Sequence, residues 1–473
     1  MLPAVIFCIL FIVLIFLVVM TYRLRSFEKT KSDNEAIETA ATEKSKEGIE
    51  LSKGFVYAAL MSTIIALLAC VYFFLRGTIW QAHMMDWLNL LIRLTHITFG
   101  IAWIGASFYF VFLENALNRT VDVRDELAGN LWAVHGGGFY YLEKYKIAPK
   151  TIPKQLHWFK YEAYFTWLSG FCLLFVVYYF NANEFLINKS VLDISPVAGV
   201  AIGISSFIVG WVVYDLLCKT SLVKKGVWFA LLGFIIAIGF AYFYAHVFSG
   251  RAAYIHFGAM LGTIMAANVF FIIIPAQKAM VKAAKEGKPL NPELGKNAGR
   301  RSLHNNYFTL PVLFVMISNH FPATYGNKNS WLVLAALTLG TAGVKHYLNL
   351  REKGQLSVWV MPVSVLIILA TCFITAPQKI TAECEAEISF AEINIIFQQR
   401  CISCHSSHPS DNTISAAPNG VMYDTPEEII RYKDKIMQRA VVTQTMPLNN
   451  KTNMTTEERN LLRCWIGQGA VVK

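Results

Sequence analysis

Long apolar runs alternate along this chain with short charged segments, and the pattern changes only near its end. A helix needs about 20 apolar residues to cross the hydrocarbon core of a bilayer, and about ten runs approach that length. They cover 2–20, 54–75, 88–113, 159–180, 196–217, 227–248, 254–275, 306–321, 331–349 and 357–376. The eighth contains Pro311, which blurs its limits. The first lacks a positive leading region and is followed by Tyr22-Arg23-Leu24-Arg25, so it reads as an anchor with its N-terminus outside rather than a cleaved signal. Residues 26–53 mix Lys and Glu with Ser and Thr and read as a solvated linker. After 376 the polar content rises and the helical runs shorten. The predicted fold class is all-α: a polytopic helical membrane bundle of about ten spans followed by a small all-α domain. The expected domains are an anchor and charged linker over 1–53, a multi-helix membrane domain over 54–376 and a separate domain over 377–473.

Composition supports the bilayer. The 473 residues are 55% hydrophobic and 15% charged, against about 25% charged in a typical soluble protein. The formal charge of +11 would suggest nucleic acid in a soluble chain. Here the cations cluster between apolar runs, and no basic stretch interleaved with aromatics argues for a nucleic-acid partner. The segment 276–305 carries Lys278, Lys282, Lys285, Lys288, Lys296, Arg300 and Arg301, whereas 181–195 and 322–330 are poor in Lys and Arg. Cytoplasmic loops are the Lys/Arg-rich ones, so 276–305 is expected inside and both termini outside. The C-terminal domain is therefore expected on the outer side.

That domain carries the clearest chemistry. "RCISCHSSHP" holds C-x-x-C-H, the attachment signature of a c-type haem. Cys401 and Cys404 would form the thioether bonds and His405 would be the proximal iron ligand. Met446 in "QTMPLNN" is the expected second ligand, with His408 as a rival too close in sequence to reach the opposite face. A redox dithiol or a zinc half-site would also use C-x-x-C, but no second C-x-x-C and no thioredoxin-like pattern accompany it. Thr455 or Thr456 should cap a last helix that opens with acidic residues, and Trp465 should pack near Phe397. Cys384 and Cys464 share the outer compartment, where a disulfide can persist; whether they pair is left open.

Ionisable residues within spans are costly and mark functional sites by default. Topology sorts the histidines by leaflet. His96, His246, His256 and His320 fall toward the outer face with Arg93 and Arg251, and His135, His157, His304 and His346 toward the inner face. The outer set is read as a substrate site or as ligands of a b-type haem, with His96, His256 and His320 the candidate ligands. Single histidines often only satisfy a helix neighbour, so each is weaker than the set. His96, Gly100, Trp103 and Ser107 share a helix face, and Gly258 with Gly262 forms a GxxxG. No G-x-S-x-G accompanies "AVHGGGFY", and there is no adjacent His pair for copper, no G-x-G-x-x-G and no Walker loop.

Several stretches together resemble the bacterial membrane-bound urate hydroxylases: "DWLNLLIRLTHITFGIAWIGASFYFVFLENAL", "LWAVHGGGFYYLEKYKIAPKTIPKQLHWFKYEAYFTWLSGF", "VFSGRAAYIHFGAMLGTIMAANVFFIIIPAQ" and "HNNYFTLPVLFVMISNHFP". "GVMYDTPEEI" and "TMPLNNKTNMTTEERNLLRCWI" are similar to that family's haem domain. The likeness covers roughly residues 80–473; the two helices and linker before residue 80 read as an extension. It implies a class I cytochrome c domain on the periplasmic side of a multi-pass inner-membrane protein. It implies oxidation of urate to 5-hydroxyisourate with water as oxygen source, one covalent haem c as electron acceptor, and a soluble cytochrome or terminal oxidase beyond. The expected urate site uses His96, His246, His256 and Arg251, with His157, Lys160 and Glu162 as the alternative if the site opens inward. The His-x6-Trp-x-Gly spacing of His96, Trp103 and Gly105 is also similar to small b-haem membrane proteins. The competing reading is a b/c-type cytochrome that relays electrons from quinol to a soluble acceptor.

Overall fold

In a bilayer no water satisfies free backbone groups, so apolar runs long enough to cross must close their hydrogen bonds internally as helices. The computed structural model describes residues 79–149, 151–376, 384, 387–411, 414 and 416–472. The helices expected at 2–20 and 54–75, the linker at 26–53, and the proposed boundaries at 54 and 377 lie outside the described residues. The described elements are α1 (Ile79–Ala116), β1 (Leu127–His135), β2 (Gly138–Tyr145), α2 (Tyr161–Leu173), α3 (Pro196–Lys219), α4 (Gly226–Val247), α5 (Gly250–Ala267) and α6 (Ile274–Lys285). They continue with α7 (Pro292–Ile317), α8 (Pro322–Tyr325), α9 (Ser330–Glu352), α10 (Val360–Ile374), α11 (Phe390–Arg400), α12 (Pro426–Arg431), α13 (Lys433–Ile436) and α14 (Thr456–Gly467). Two π-turns, Leu174–Tyr179 and Asn268–Ile273, extend α2 and join α5 to α6.

Among the described residues, five helices are long and apolar enough to cross a membrane: His83–Ala116, Tyr161–Tyr179, Pro196–Lys219, Gly226–Val247 and Gly250–Lys285. Helices α7 and α9 form where the expected runs 306–321 and 331–349 stand, but polar residues dilute them, and α10 is shorter. Two expectations need correction. The segment after α1 is not purely helical: β1 and β2 pair antiparallel, from Leu131 opposite Leu142 to His135 opposite Gly138. Gly136 and Gly137 both take positive φ in the turn, which glycine does at no steric cost. The run "AVHGGGFY" is thus the turn of a hairpin, and Phe139, Tyr140 and Tyr141 on its second strand are all exposed. Second, 276–305 is not a loop. It is mostly α6 and α7, and Arg301 is only 2% exposed while Lys278, Lys282, Lys285, Lys288 and Lys296 are exposed.

The chain divides into two compact units, residues 1–92 with 172–180, and 93–171 with 181–473. In the first, Met85, Leu88 and Ile92 pack with Cys172 and Val176. In the second, α5 is the central helix, packed by α3, α4 and α7. Its residues from Ala252 to Phe257 are all buried, as a helix apolar on every side must be. A Cβ on Gly258 would stand 2.5 Å from Val315 on α7, so this half of the GxxxG sets a close helix approach, whereas Gly262 meets nothing within 4 Å.

The residues after α10 build a core of their own from Ile393, Phe397, Ile429, Ile436, Leu462 and Trp465 with their neighbours. Reciprocal side-chain and backbone bonds cap α11 (Ser389 with Glu392), α12 (Thr425 with Glu428) and α14 (Thr455 with Glu458). Arg400 ends α11 and reaches Glu458 of α14 at 3.0 Å. Trp465 is buried against Phe390, and Cys384 is bonded to Cys464. This core rests on the α2–α3 and α7–α9 connections. The Asn449 amide donates to the carbonyls of Glu184 (2.6 Å) and Ile187 (2.8 Å), and Lys451 lies 3.6 Å from the Glu184 carboxylate. Gly326 packs so closely that a Cβ there would fall 2.7 Å from Thr445 and 2.8 Å from Thr443.

Candidate functional site

The C-x-x-C-H segment follows α11 without a break. Cys401 N–H still donates to Phe397, and His405 N–H donates back to the Cys401 carbonyl at 2.9 Å. The motif is therefore one tight turn that sets Cys401, Cys404 and His405 beside the C-terminal core. His405 Nδ1 lies 2.9 Å from the Val421 carbonyl. A carbonyl only accepts, so Nδ1 carries the hydrogen and the Nε2 lone pair is the basic position of the ring. Burial holds the imidazole below its ordinary pKa, offset in part by the Val421 bond, with Arg439 adding to the depression. Burial also pushes the Cys401 thiol up to about 12, which opposes a reactive thiolate there. His408 is exposed in the same turn. Met446 sits in the loop before α14, where its N–H donates to the Arg439 carbonyl (3.0 Å) and its carbonyl accepts from Arg459 (2.8 Å). Arg459 is buried and also bonds Asn450 and the Ala440 carbonyl, so one guanidinium pins the Met446 loop at several points.

The outer histidines lie in different surroundings. Among the described residues, no three His, Cys, Asp or Glu side chains gather closely enough to hold a metal ion. His96 Nδ1 bonds the Thr166 carbonyl (2.9 Å) and Ser169 Oγ (3.3 Å) of α2. Gly170 makes the room, since a Cβ there would lie 2.8 Å from the imidazole. His246 is exposed and turned back on its own helix, bonding the Tyr242 carbonyl at 2.7 Å. His256 is fully buried among Phe207, Tyr244 and Phe248 and bonds the Ala252 carbonyl at 2.8 Å. His320 is exposed at the end of α7. These four come from four different elements, and two of them, His246 and His320, stand exposed.

Arg251 has a more telling environment. It opens α5, after the Ser249 N-cap. Its Nε donates to Asn319 Oδ1 at 3.2 Å, and its guanidinium lies 5.2 Å from the Phe185 ring centre. Ser249 Oγ bonds the Phe185 carbonyl, so the loop carrying Phe185 is tied to the start of α5. Asn319 escaped the sequence reading, although it stands next to His320 in "SNHFP".

A second polar cluster was missed as well. Arg301 on α7 pairs with Asp215 of α3 at 2.6 Å and donates to Asn268 Oδ1 at 3.1 Å. Asn268 donates to Asn305 and to Tyr214, and Tyr214 meets His304 at 2.8 Å. On the other side of α7, Asn306 bonds Ser107 and accepts from Asn349. The signal was present: Asp215, Asn268 and Lys345 interrupt apolar runs. Of the inward alternatives, His135 and His157 are exposed, and the buried Oε2 of Glu162 has no hydrogen-bond partner. Lys160 lies within 4.9 Å of the Tyr161 ring.

The fold and these sites define a helical protein with several membrane-capable spans, carrying buried polar clusters and a C-terminal core that bears C-x-x-C-H. Residues 82–376 match the urate oxidase N-terminal family, and the chain belongs to that family. Membership ties the helical region to urate and to oxidoreductase chemistry. The match ends where α10 ends, before the C-terminal core. No curated relative and no solved structure matches the chain.

Proposed function

We propose that this protein is a membrane-bound urate hydroxylase whose C-terminal domain is a class I cytochrome c. Urate and water yield 5-hydroxyisourate, two protons and two electrons; the carbon–oxygen bond forms from water, and urate is oxidised. The observation that carries this reading is Arg251 with Asn319 and Phe185. A guanidinium, an amide and an aromatic face suit a flat purine anion. Of the three, Phe185 stands on the connection that also accepts the Asn449 amide of the C-terminal domain.

The donor set in that domain fits a c-type haem. The two thiols are free of disulfides in one turn, and His405 is held through Nδ1, which would leave Nε2 to take the iron. Cys401 and Cys404 would hold the group covalently, and Met446 would be the second ligand on a loop pinned by Arg459. Bound there, haem c would supply a one-electron acceptor for the electrons that urate loses. Arg251 holds the anion and Asn319 orients it through its amide. His256, whose Nδ1 is committed to Ala252, accepts a proton at Nε2 as water adds. His96, fixed by Thr166 and Ser169, is the second candidate base or the ligand of a further b-type haem. His246 and His320 are exposed and are given no role.

The Lys/Arg-poor connections at 181–195 and 322–330 are the ones on which the C-terminal core rests. By the charge rule they face outward, which supports a periplasmic cytochrome on a bacterial inner-membrane protein. The onward acceptor is then a soluble cytochrome or a terminal oxidase. The test is direct. Urate added anaerobically to the oxidised protein should reduce its haem absorption bands. Reduction by a quinol and not by urate would favour the electron-relay reading instead.

A further inference from the structure

The Met446 loop is also the surface by which the C-terminal domain is docked. Asn449, three residues beyond Met446, donates both amide hydrogens to backbone carbonyls of the α2–α3 connection, Glu184 (2.6 Å) and Ile187 (2.8 Å). Lys451 continues the contact. It lies 3.6 Å from Glu184 and 2.7 Å from Asp411, whose carboxylate stands 3.7 Å from Cys404 Sγ. Thr443 and Thr445, just before Met446, press on Gly326 with no room for a Cβ between them. The loop therefore touches two separate connections of the helical region. On one of them, Phe185 sits between the two acceptor carbonyls and lies over Arg251.

From this we infer that the Met446-side edge of the C-terminal domain is where electrons enter, and that Asn449 is the positioning residue that latches this edge over the Arg251–Phe185 region. The inference rests on the proposed function above and adds the route. Asn449 is suited to the place twice over. Its backbone has φ +49°, which asparagine tolerates better than most residues. Its amide offers two donors, one to each carbonyl. Lys451 acts in parallel by tying the attachment turn, through Asp411, to the same connection.

The experiment compares the haem-loaded parent with Asn449→Gly and Asn449→Asp. Glycine keeps the positive φ and deletes both bonds. Aspartate also tolerates that φ but faces the two carbonyls with an acceptor. Two readouts are taken. The first is a zero-length carbodiimide cross-link between Glu184 and Lys451, mapped by mass spectrometry. The second is the rate at which urate reduces the haem, with dithionite spectra and the reduction potential as controls. Loss of two hydrogen bonds should shift docking by about tenfold or more. Both variants should therefore lose most of the cross-link and slow urate-driven reduction about tenfold, with spectra and potential unchanged. Two results would overturn the inference: no cross-link in the parent, or a lost cross-link with reduction at the parental rate. A parent that cross-links but that urate leaves oxidised would instead sink the urate reading, and the route with it.

Discussion

Replacing Arg251 with alanine probes the proposed substrate site most sharply. In the structure its Nε reaches Asn319 Oδ1 at 3.2 Å and its guanidinium covers Phe185. The side chain is half-buried at the start of α5, where the N-cap is made by Ser249 and not by Arg251 itself. The helix start should therefore survive the change, which removes the hydrogen bond to the neutral Asn319 amide among its contacts. Against urate the loss is larger. A hydrogen bond to a charged group is worth about 1.5–3 kcal/mol, and each 1.4 kcal/mol or so is tenfold in affinity. Arg251→Ala should weaken urate binding by about one to two orders of magnitude. Arg251→Lys keeps the charge but loses the planar fork, so it should recover part of the affinity and not all of it. The assay is anaerobic stopped-flow reduction of the haem over a range of urate concentrations, which separates the half-saturating concentration from the limiting rate. Asn319→Ala, assayed the same way, should weaken binding less because it removes a neutral partner. An unchanged half-saturating concentration in Arg251→Ala, in a protein that still folds and binds haem, would refute this placement. The inward region around Glu162 would then be the place to look.

Three further outcomes are expected. His96→Ala should stop urate from reducing the haem while dithionite still reduces it, and Gly170→Ala should imitate it in part, because the new methyl would stand 2.8 Å from the imidazole; normal reduction by urate in both would remove His96 from the reaction. Met446→Ala should abolish the His/Met-type absorption spectrum and lower the reduction potential, and a spectrum like that of the parent would show that another residue is the ligand. Lys288→Cys, exposed between α6 and α7, should resist an impermeant thiol reagent in intact spheroplasts, whereas labelling there would invert the proposed orientation.

Much of the architecture is written locally. Hydrophobic runs placed α1 to α5, α7, α9 and α10 because an apolar segment is defined by length and polarity alone. The start of α14 was legible because Thr455 and Glu458 carry the capping pattern within four residues. The C-x-x-C-H turn was legible for the same reason, since its chemistry needs only neighbours in sequence. The hairpin at Leu127–Tyr145 was harder to see, because its strands lie among long helices.

What the sequence by itself determined, then, is most of the long apolar helices, the capped start of α14 and the C-x-x-C-H segment. What only the tertiary structure decided is which residues face one another. Depth along a helix can be read from position, but the face toward which a side chain points depends on how that helix is rotated against its neighbours. That is why His246 and His320, placed by depth beside His256, stand exposed while His256 is enclosed. Arg301, counted among loop cations, is buried because Asp215 and Asn268 reach it from helices far away in the chain. The latch of Asn449 on Glu184 and Ile187 spans more than 260 residues. Its partners are backbone carbonyls, which every residue carries, so no side-chain pattern could announce them.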